Sequence, residues 1–425
     1  MSVIDLGELS RTAEPVRPSR PPRPVGRPLP VALVALLALL SLAGAAPGPP
    51  RPARLAVPAI AETGPLVAGD LLVLPVPITT ASGTLRELTA VGLADGRIRW
   101  RSPLPVGHQP VVLAEVGGDV VVTADPGGEP VSAVLDRASG RVRWRQAGVA
   151  VPTGDGGLLL EDAEPDRIAV RGVDVGSGAT RWSAVIGPGT IGYRHDDRGI
   201  TQIVLVTHSG RVEVRDRDTG RLAVAFRVPP ARGSVHDTTR VAGDMLLIDG
   251  DQGQLAGYGL DTGSLRWQVP FDPDTSFAQA CGDAICVGQP PGVRVYDPAT
   301  GRLRWVDDRW YPAWLVDGRL LAVSYDGERE SFGLLDPATG RVLAALGPWQ
   351  LVASKVSGGR LVERPLLVTR AVSGGRQLLG ELDVGTGEVR ARDVLPGGWE
   401  LCSHRGRTLV CRRSNGEFGV WRLGG

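Results

Sequence analysis

The chain has 425 residues, 42% of them hydrophobic, with 58 Gly, 35 Pro and a formal net charge of +1. So much apolar content excludes a disordered polymer and so much Gly and Pro excludes long helices, which leaves many short strands joined by tight turns. Near-neutral charge also removes the global field that nucleic acid or an acidic substrate would require, and the nearly exclusive use of Arg, with Lys355 the one lysine, reads as coding bias.

Residues 1–28 are polar and rich in Pro and Arg, and are expected to form a disordered cytoplasmic tail. Residues 29–46 (LPVALVALLALLSLAGAA) carry no charge. As a helix they would span about 27 Å, enough for a bilayer core. Arg11, Arg17, Arg20, Arg23 and Arg27 precede this segment, and only Arg51 and Arg54 follow it closely. The charge asymmetry predicts a transmembrane signal anchor with the N-terminus in the cytoplasm and the remainder exported. The alternative is a cleaved secretory signal ending near Ala43-Gly44-Ala45, with the mature chain secreted. Residues 47–62 read as a Pro/Ala-rich linker in which RLAVPAI could supply one extended strand, and 63–425 as one repeat domain.

Six segments of that domain carry Asp-x-x-Ser/Thr-Gly, at 136–140, 174–178, 216–220, 297–301, 336–340 and 383–387. Two shorter relatives end at Gly96 and Gly263, so the glycine recurs every 38 to 47 residues. Four residues beyond it stand Trp100, Trp144, Trp182, Trp267 and Trp305, with Val224, Ala344 and Ala391 in the other three places. Each part has a mechanical task. The carboxylates of Asp136, Asp174, Asp216, Asp297, Asp336 and Asp383 can close an Asx-type turn. Gly140, Gly178 and Gly301 and their equivalents supply a positive φ. Trp144, Trp182 and Trp305 and their equivalents enter the apolar layer between units. About 40 residues with four short strands is the period of a propeller blade. The expected architecture is an all-β propeller of eight four-stranded blades, seven being the fallback, preceded by one N-terminal transmembrane helix. Three further strands in 399–423 are expected to complete a shared unit with an N-terminal strand and pin the ring shut.

This recurring hairpin, over roughly residues 64–421, resembles the pyrroloquinoline-quinone (PQQ)-type β-propeller repeat. That superfamily holds quinoprotein dehydrogenases, and also members that keep the ring, carry no cofactor and bind proteins, as the β-barrel assembly lipoprotein of Gram-negative outer membranes does. The resemblance thus implies the fold firmly and the function weakly. A dehydrogenase needs quinone and calcium held by oxygen ligands from several blades. This chain has a single Asn, Asn415, and no two adjacent cysteines such as the quinone-dependent alcohol dehydrogenases share. No nucleophile elbow, P-loop or zinc-protease motif is present, and His108, His195, His208, His236 and His404 are scattered. No catalytic, metal or cofactor-binding residue and no cofactor is therefore expected.

Cys281 and Cys286, and Cys402 and Cys411, each flank a turn between apolar runs and suit two local hairpin disulfides, with free buried thiols or a metal as alternatives. Disulfides would imply an oxidising compartment. Trp310, Tyr311, Trp314, Trp349 and Trp399 fall outside the repeated Trp place, where consecutive blades begin. They are a candidate interaction patch, or else caps on the inner strands of their own blades. The reading is a membrane-anchored, extracytoplasmic, non-catalytic propeller that recognises an envelope protein or extracellular ligand. The alternative is a quinoprotein-like, PQQ- and calcium-dependent oxidoreductase.

Overall fold

The computed structural model describes residues 53–56 and 65–423, apart from 81–82, 105–109, 126–128, 231–238, 251–252, 273, 327–328, 353–355, 358 and 414–416. The expected cytoplasmic tail and transmembrane helix lie outside the described residues. Among those described, no helix is long and apolar enough to cross a membrane.

Nine antiparallel sheets follow one another along the chain. Eight are laid down in sequence order, inner strand to outer, over residues 66–103, 110–147, 149–186, 189–227, 239–270, 277–307, 311–347 and 350–395. The ninth takes three strands from the C-terminal end, Trp399–Arg405, Thr408–Arg413 and Glu417–Arg422. Its outer strand is Ala53–Ala56, paired from Ala53↔Val420 to Ala56↔Glu417.

The protein is therefore a nine-bladed propeller, which corrects the expectation of eight. The repeated motif sits in the hairpin between third and fourth strands. The ninth blade has no such hairpin, because its fourth strand comes from the other end of the chain. Counting motifs thus falls one short. The same strand shows that the segment expected as a linker, 47–62, contains part of the propeller.

Closure is visible in the packing. Nine apolar clusters fill the nine blade-to-blade interfaces. One joins the ninth blade to the first, with Val410, Phe418 and Val420 against Leu72, Leu74 and Val91. The second strand of a blade is buried on both faces, so it reads as an unbroken apolar run rather than an alternating one, as in Val120-Val121-Val122, Leu158-Leu159-Leu160 and Met245-Leu246-Leu247-Ile248.

Strand direction alternates within each blade. The turns between first and second strands and between third and fourth strands therefore share one rim, the motif rim. The turns between second and third strands share the opposite rim, the loop rim, with the blade-to-blade connections. One departure matters for the site. The connection from Gln350–Leu351 to Leu367 in the eighth blade contributes two short strands, Val356–Ser357 and Arg360–Leu361, to the inner edge of the seventh. Arg360 pairs in parallel with Leu315, so this segment lies toward the ring axis at the motif rim.

Candidate functional site

The repeated polar residues are consumed by the turns. Asp136 Oδ1 accepts from Ser139 N at 2.9 Å and Ser139 Oγ at 2.7 Å, and Oδ2 accepts from Arg143 at 2.7 Å. Asp297 repeats the pattern with Thr300 and with Arg304 at 2.7 Å, and Asp174 with Ser177 and Arg181. The Arg181 bond holds Asp174 at about 2, and the Arg304 bond holds Asp297 at about 2. Asp216, Asp336 and Asp383 close the same turn.

The arginine partners were not singled out from sequence, although the signal was present: Arg stands directly before Trp100, Trp144, Trp182, Trp267 and Trp305. Arg143 bridges Asp136 and Asp119, and Arg304 bridges Asp297 and Asp283, tying two turns of one blade together.

The tryptophans dock each blade on the next. The indole N–H of Trp100 donates to Arg137 O at 2.8 Å, Trp144 to Val175 O at 2.7 Å, Trp267 to Pro298 O at 2.8 Å and Trp305 to Pro337 O at 2.9 Å. The ring then covers the motif glycine of that next blade. A Cβ at Gly140 would stand 2.5 Å from the Trp100 ring, and one at Gly340 2.6 Å from Trp305, so glycine is needed for space as well as for its positive φ. Trp182 lies over Gly220 in the same way.

Interfaces without a motif Trp are filled otherwise. Phe226 covers Gly263 after Val224. Trp349 enters the interface where Ala344 holds the Trp place, its ring over Gly380. Trp399 fills the next interface, edge-to-face with Trp421 at 5.1 Å.

Burial separates the five off-register aromatics. Trp310, Trp349 and Trp399 are 3%, 8% and 2% exposed, each with an Arg over its ring. A glycine opposite them (Gly333, Gly380 or Gly419) opens the space that draws them inward. Only Tyr311 and Trp314 of the five stay half-buried, and Tyr311 meets the exposed Tyr325 edge-on at 5.9 Å.

Both cysteine pairs are disulfides, Cys281–Cys286 with a Cα–Cα distance of 5.7 Å and Cys402–Cys411 with 4.0 Å. Each joins the first two strands of its blade.

The axis at the motif rim gathers polar groups from separate blades. Glu115 of the second blade forms ion pairs with Arg405 of the ninth at 2.8 Å and with Arg137 at 3.5 Å. Arg405 also donates to Val67 O of the first blade at 3.1 Å. Across this end runs the segment 359–366. Its Arg360 pairs with Asp197 of the fourth blade at 2.7 Å, Arg364 with Asp317 of the seventh at 2.5 Å, and Glu363 accepts from Gly406 N of the ninth at 2.5 Å. Leu361 and Leu366 anchor it in the core between the seventh and eighth blades.

A cavity of about 360 Å³ opens here, its walls including Leu66, Leu113, Glu115, Glu363, His404 and Arg405. His404 is 6% exposed. Its Nδ1 lies 3.4 Å from Gly406 O, and its Nε2 is buried without a partner. Burial holds the imidazole below its ordinary pKa. Away from the axis, the Tyr193 hydroxyl donates to the Glu161 carboxylate, and burial pushes both groups' pKa up. The described residues hold no group of three His, Cys, Asp or Glu placed to bind a metal ion.

Ring, turn and docking tryptophan together define a β-propeller built of PQQ-type repeats. Residues 85–237 and 227–423 match the family described as outer membrane protein assembly factor BamB, and the chain belongs to that family. No curated protein matches it. Among solved structures, BamB from Moraxella catarrhalis is 16% identical with a TM-score of 0.40, over 88% of this chain and 97% of that one. The designed protein Ika8 is 16% identical with a TM-score of 0.45, over 74% and 96%. The quinohemoprotein alcohol dehydrogenase from Comamonas testosteroni is 13% identical with a TM-score of 0.47, over 88% and 76%.

Proposed function

We propose that the chain is a membrane-anchored, extracytoplasmic propeller that binds a protein of the cell envelope and performs no chemistry of its own. Membership of the BamB family over residues 85–423 is the observation that carries this reading. The ring supports it in a second way. The recurring Asp, Arg, Gly and Trp residues are spent on turns and docking, which suits a scaffold that presents connections. On the loop rim those connections range from the single residue Gly148 to the eleven of 228–238. The anchor reading draws on the uncharged stretch 29–46 with its arginines on one side, and two disulfides suit an oxidising compartment.

Proximity labelling from the full-length anchored protein in its own cell tests the reading. Labelling of one envelope protein, lost in a Tyr311→Ala/Tyr325→Ala variant that melts as wild type does, is the expected outcome. Labelling unchanged by the variant would remove this aromatic pair from the contact. Dye reduction by the purified protein after addition of PQQ and calcium would replace the reading with a quinoprotein oxidoreductase.

A further inference from the structure

We propose that the axial cavity at the motif rim binds a small zwitterion with an apolar body, an amino acid or a dipeptide, its carboxylate on Arg405 and its ammonium on Glu363. The site stands apart from the partner-binding reading, and lies at the opposite rim.

Three charged side chains line the cavity, Glu115, Glu363 and Arg405, and with Arg137 paired to Glu115 outside the lining the four sum to zero. Glu115 is already neutralised by Arg137 and Arg405, which leaves Glu363 as the carboxylate to be matched. Among the described residues the Glu363 carboxylate pairs with no cation and accepts one hydrogen bond, from Gly406 N, although the residue is half-buried. A carboxylate at the cavity wall without a cation partner is placed to take a bound ammonium. Among the described residues Arg405 uses only its NH1, on Glu115 and Val67 O. Its other two nitrogens make no hydrogen bond to the described residues, and an Arg edge of this kind suits a carboxylate.

His404 closes one wall of the cavity: its Nδ1 lies 3.4 Å from Gly406 O, and its Nε2 is sealed from the open space and has no partner among the described residues. The rest of the lining is apolar, from Pro65, Leu66, Val67, Leu113 and Pro152, which selects a ligand with an aliphatic body. A space of about 360 Å³ suits a single amino acid or a dipeptide. A net cation or a net anion would leave one of the two free charges unmatched. The segment 359–366 belongs to the site, since its ion pairs to Asp197 and Asp317 carry Glu363 over the axis.

Calorimetric titration of the full-length protein with four probes decides the matter: glycyl-L-leucine, L-leucine, N-acetyl-L-leucine, which lacks the ammonium, and L-leucinamide, which lacks the carboxylate. The two zwitterions should bind, and each single-charge probe should bind at least ten-fold more weakly. Glu363→Gln should remove the preference for a free ammonium, and Arg405→Gln the preference for a free carboxylate, with the melting transition retained as the check on folding. Asp317→Asn, which suits the left-handed backbone at that position (φ 45°), should weaken binding of both zwitterions by loosening the segment that holds Glu363. Absence of heat from all four probes at 10 mM overturns the proposal, as does binding of the single-charge probes as tight as that of the zwitterions.

Discussion

Trp349→Ala tests whether the off-register tryptophans are core or contact surface. Trp349 is 8% exposed and packs with Phe332, Leu334, Leu346 and Leu382 between the seventh and eighth blades. Its ring covers Gly380 and lies 4.8 Å from the Arg370 guanidinium. The motif place of this interface holds only Ala344, and the neighbouring aromatics Phe332, Tyr311 and Trp314 are already packed in it and would have to leave their own places to fill the void. Truncating a buried Trp of this kind costs about 3–5 kcal/mol, upper end favoured, because the loss is transfer plus unfilled cavity. That is a large part of the 5–15 kcal/mol available to a folded domain, though a ring of this size need not unfold in one step. Urea denaturation followed by tryptophan fluorescence and by far-UV circular dichroism measures it. Tyr325→Ala, at 57% exposure, is the control and should move stability by less than about 0.5 kcal/mol. A Trp349→Ala cost under about 1 kcal/mol would refute the compensatory role and return this side chain to the list of contact candidates.

Two more predictions follow from single features. Asp174 and Asp297 titrate near 2 instead of the ordinary 3.8, held down first by hydrogen bonds from Arg181 and Arg304. A depressed carboxylate stabilises above its unfolded pKa and loses that contribution as pH falls through the folded value, so both act above about pH 4 and fade toward pH 2. Asp174→Asn/Asp297→Asn, which keeps an acceptor for the turn, should flatten the fall in melting temperature between pH 4 and 2, and an unchanged acid limb counts against the pairs. Cys402→Ser/Cys411→Ser opens a loop with a sequence separation of 9 in the blade that closes the ring. The chain-entropy cost is about 2–3 kcal/mol, read as a lower urea midpoint and as loss of sensitivity to dithiothreitol at this site.

What could be read from sequence was whatever is local along the chain. An Asx turn, its glycine and the strand that follows lie within nine residues, so the blade and its period were legible. The disulfides were legible for the same reason, each closing across a short turn. The parts of the closing blade were legible as well, three strands over 399–423 with an N-terminal partner, but the count of nine was not, because that blade carries no motif hairpin and reads as a shared unit. Nor was the burial of Trp310, Trp349 and Trp399, which is decided by Gly333, Gly380 and Gly419, each at least 20 residues downstream. The axial cavity escaped for the strongest form of that reason. Leu66, Glu115, Glu363 and Arg405 belong to four different units, and only ring closure brings them to one place.

Ring closure also bears on where a partner can be accommodated. Nine interfaces of similar construction distribute stability, much as nearest-neighbour contacts do in other repeat arrays. A connection can then lengthen without disturbing more than the blades it joins, since each doubling of a flexible loop costs only about 0.6 kcal/mol. At the motif rim only the turns between first and second strands have this freedom, and the connection from Leu351 to Leu367 uses it. The motif hairpins are fixed in length by the Asp–Gly geometry, and Arg143 and Arg304 tie neighbouring turns together. The loop rim carries no such repeated tie, and there the connections between blades differ by up to ten residues. Most of the variable connections thus gather on the loop rim, the surface to which the proposed partner reading points, while the motif hairpins keep the ring in register.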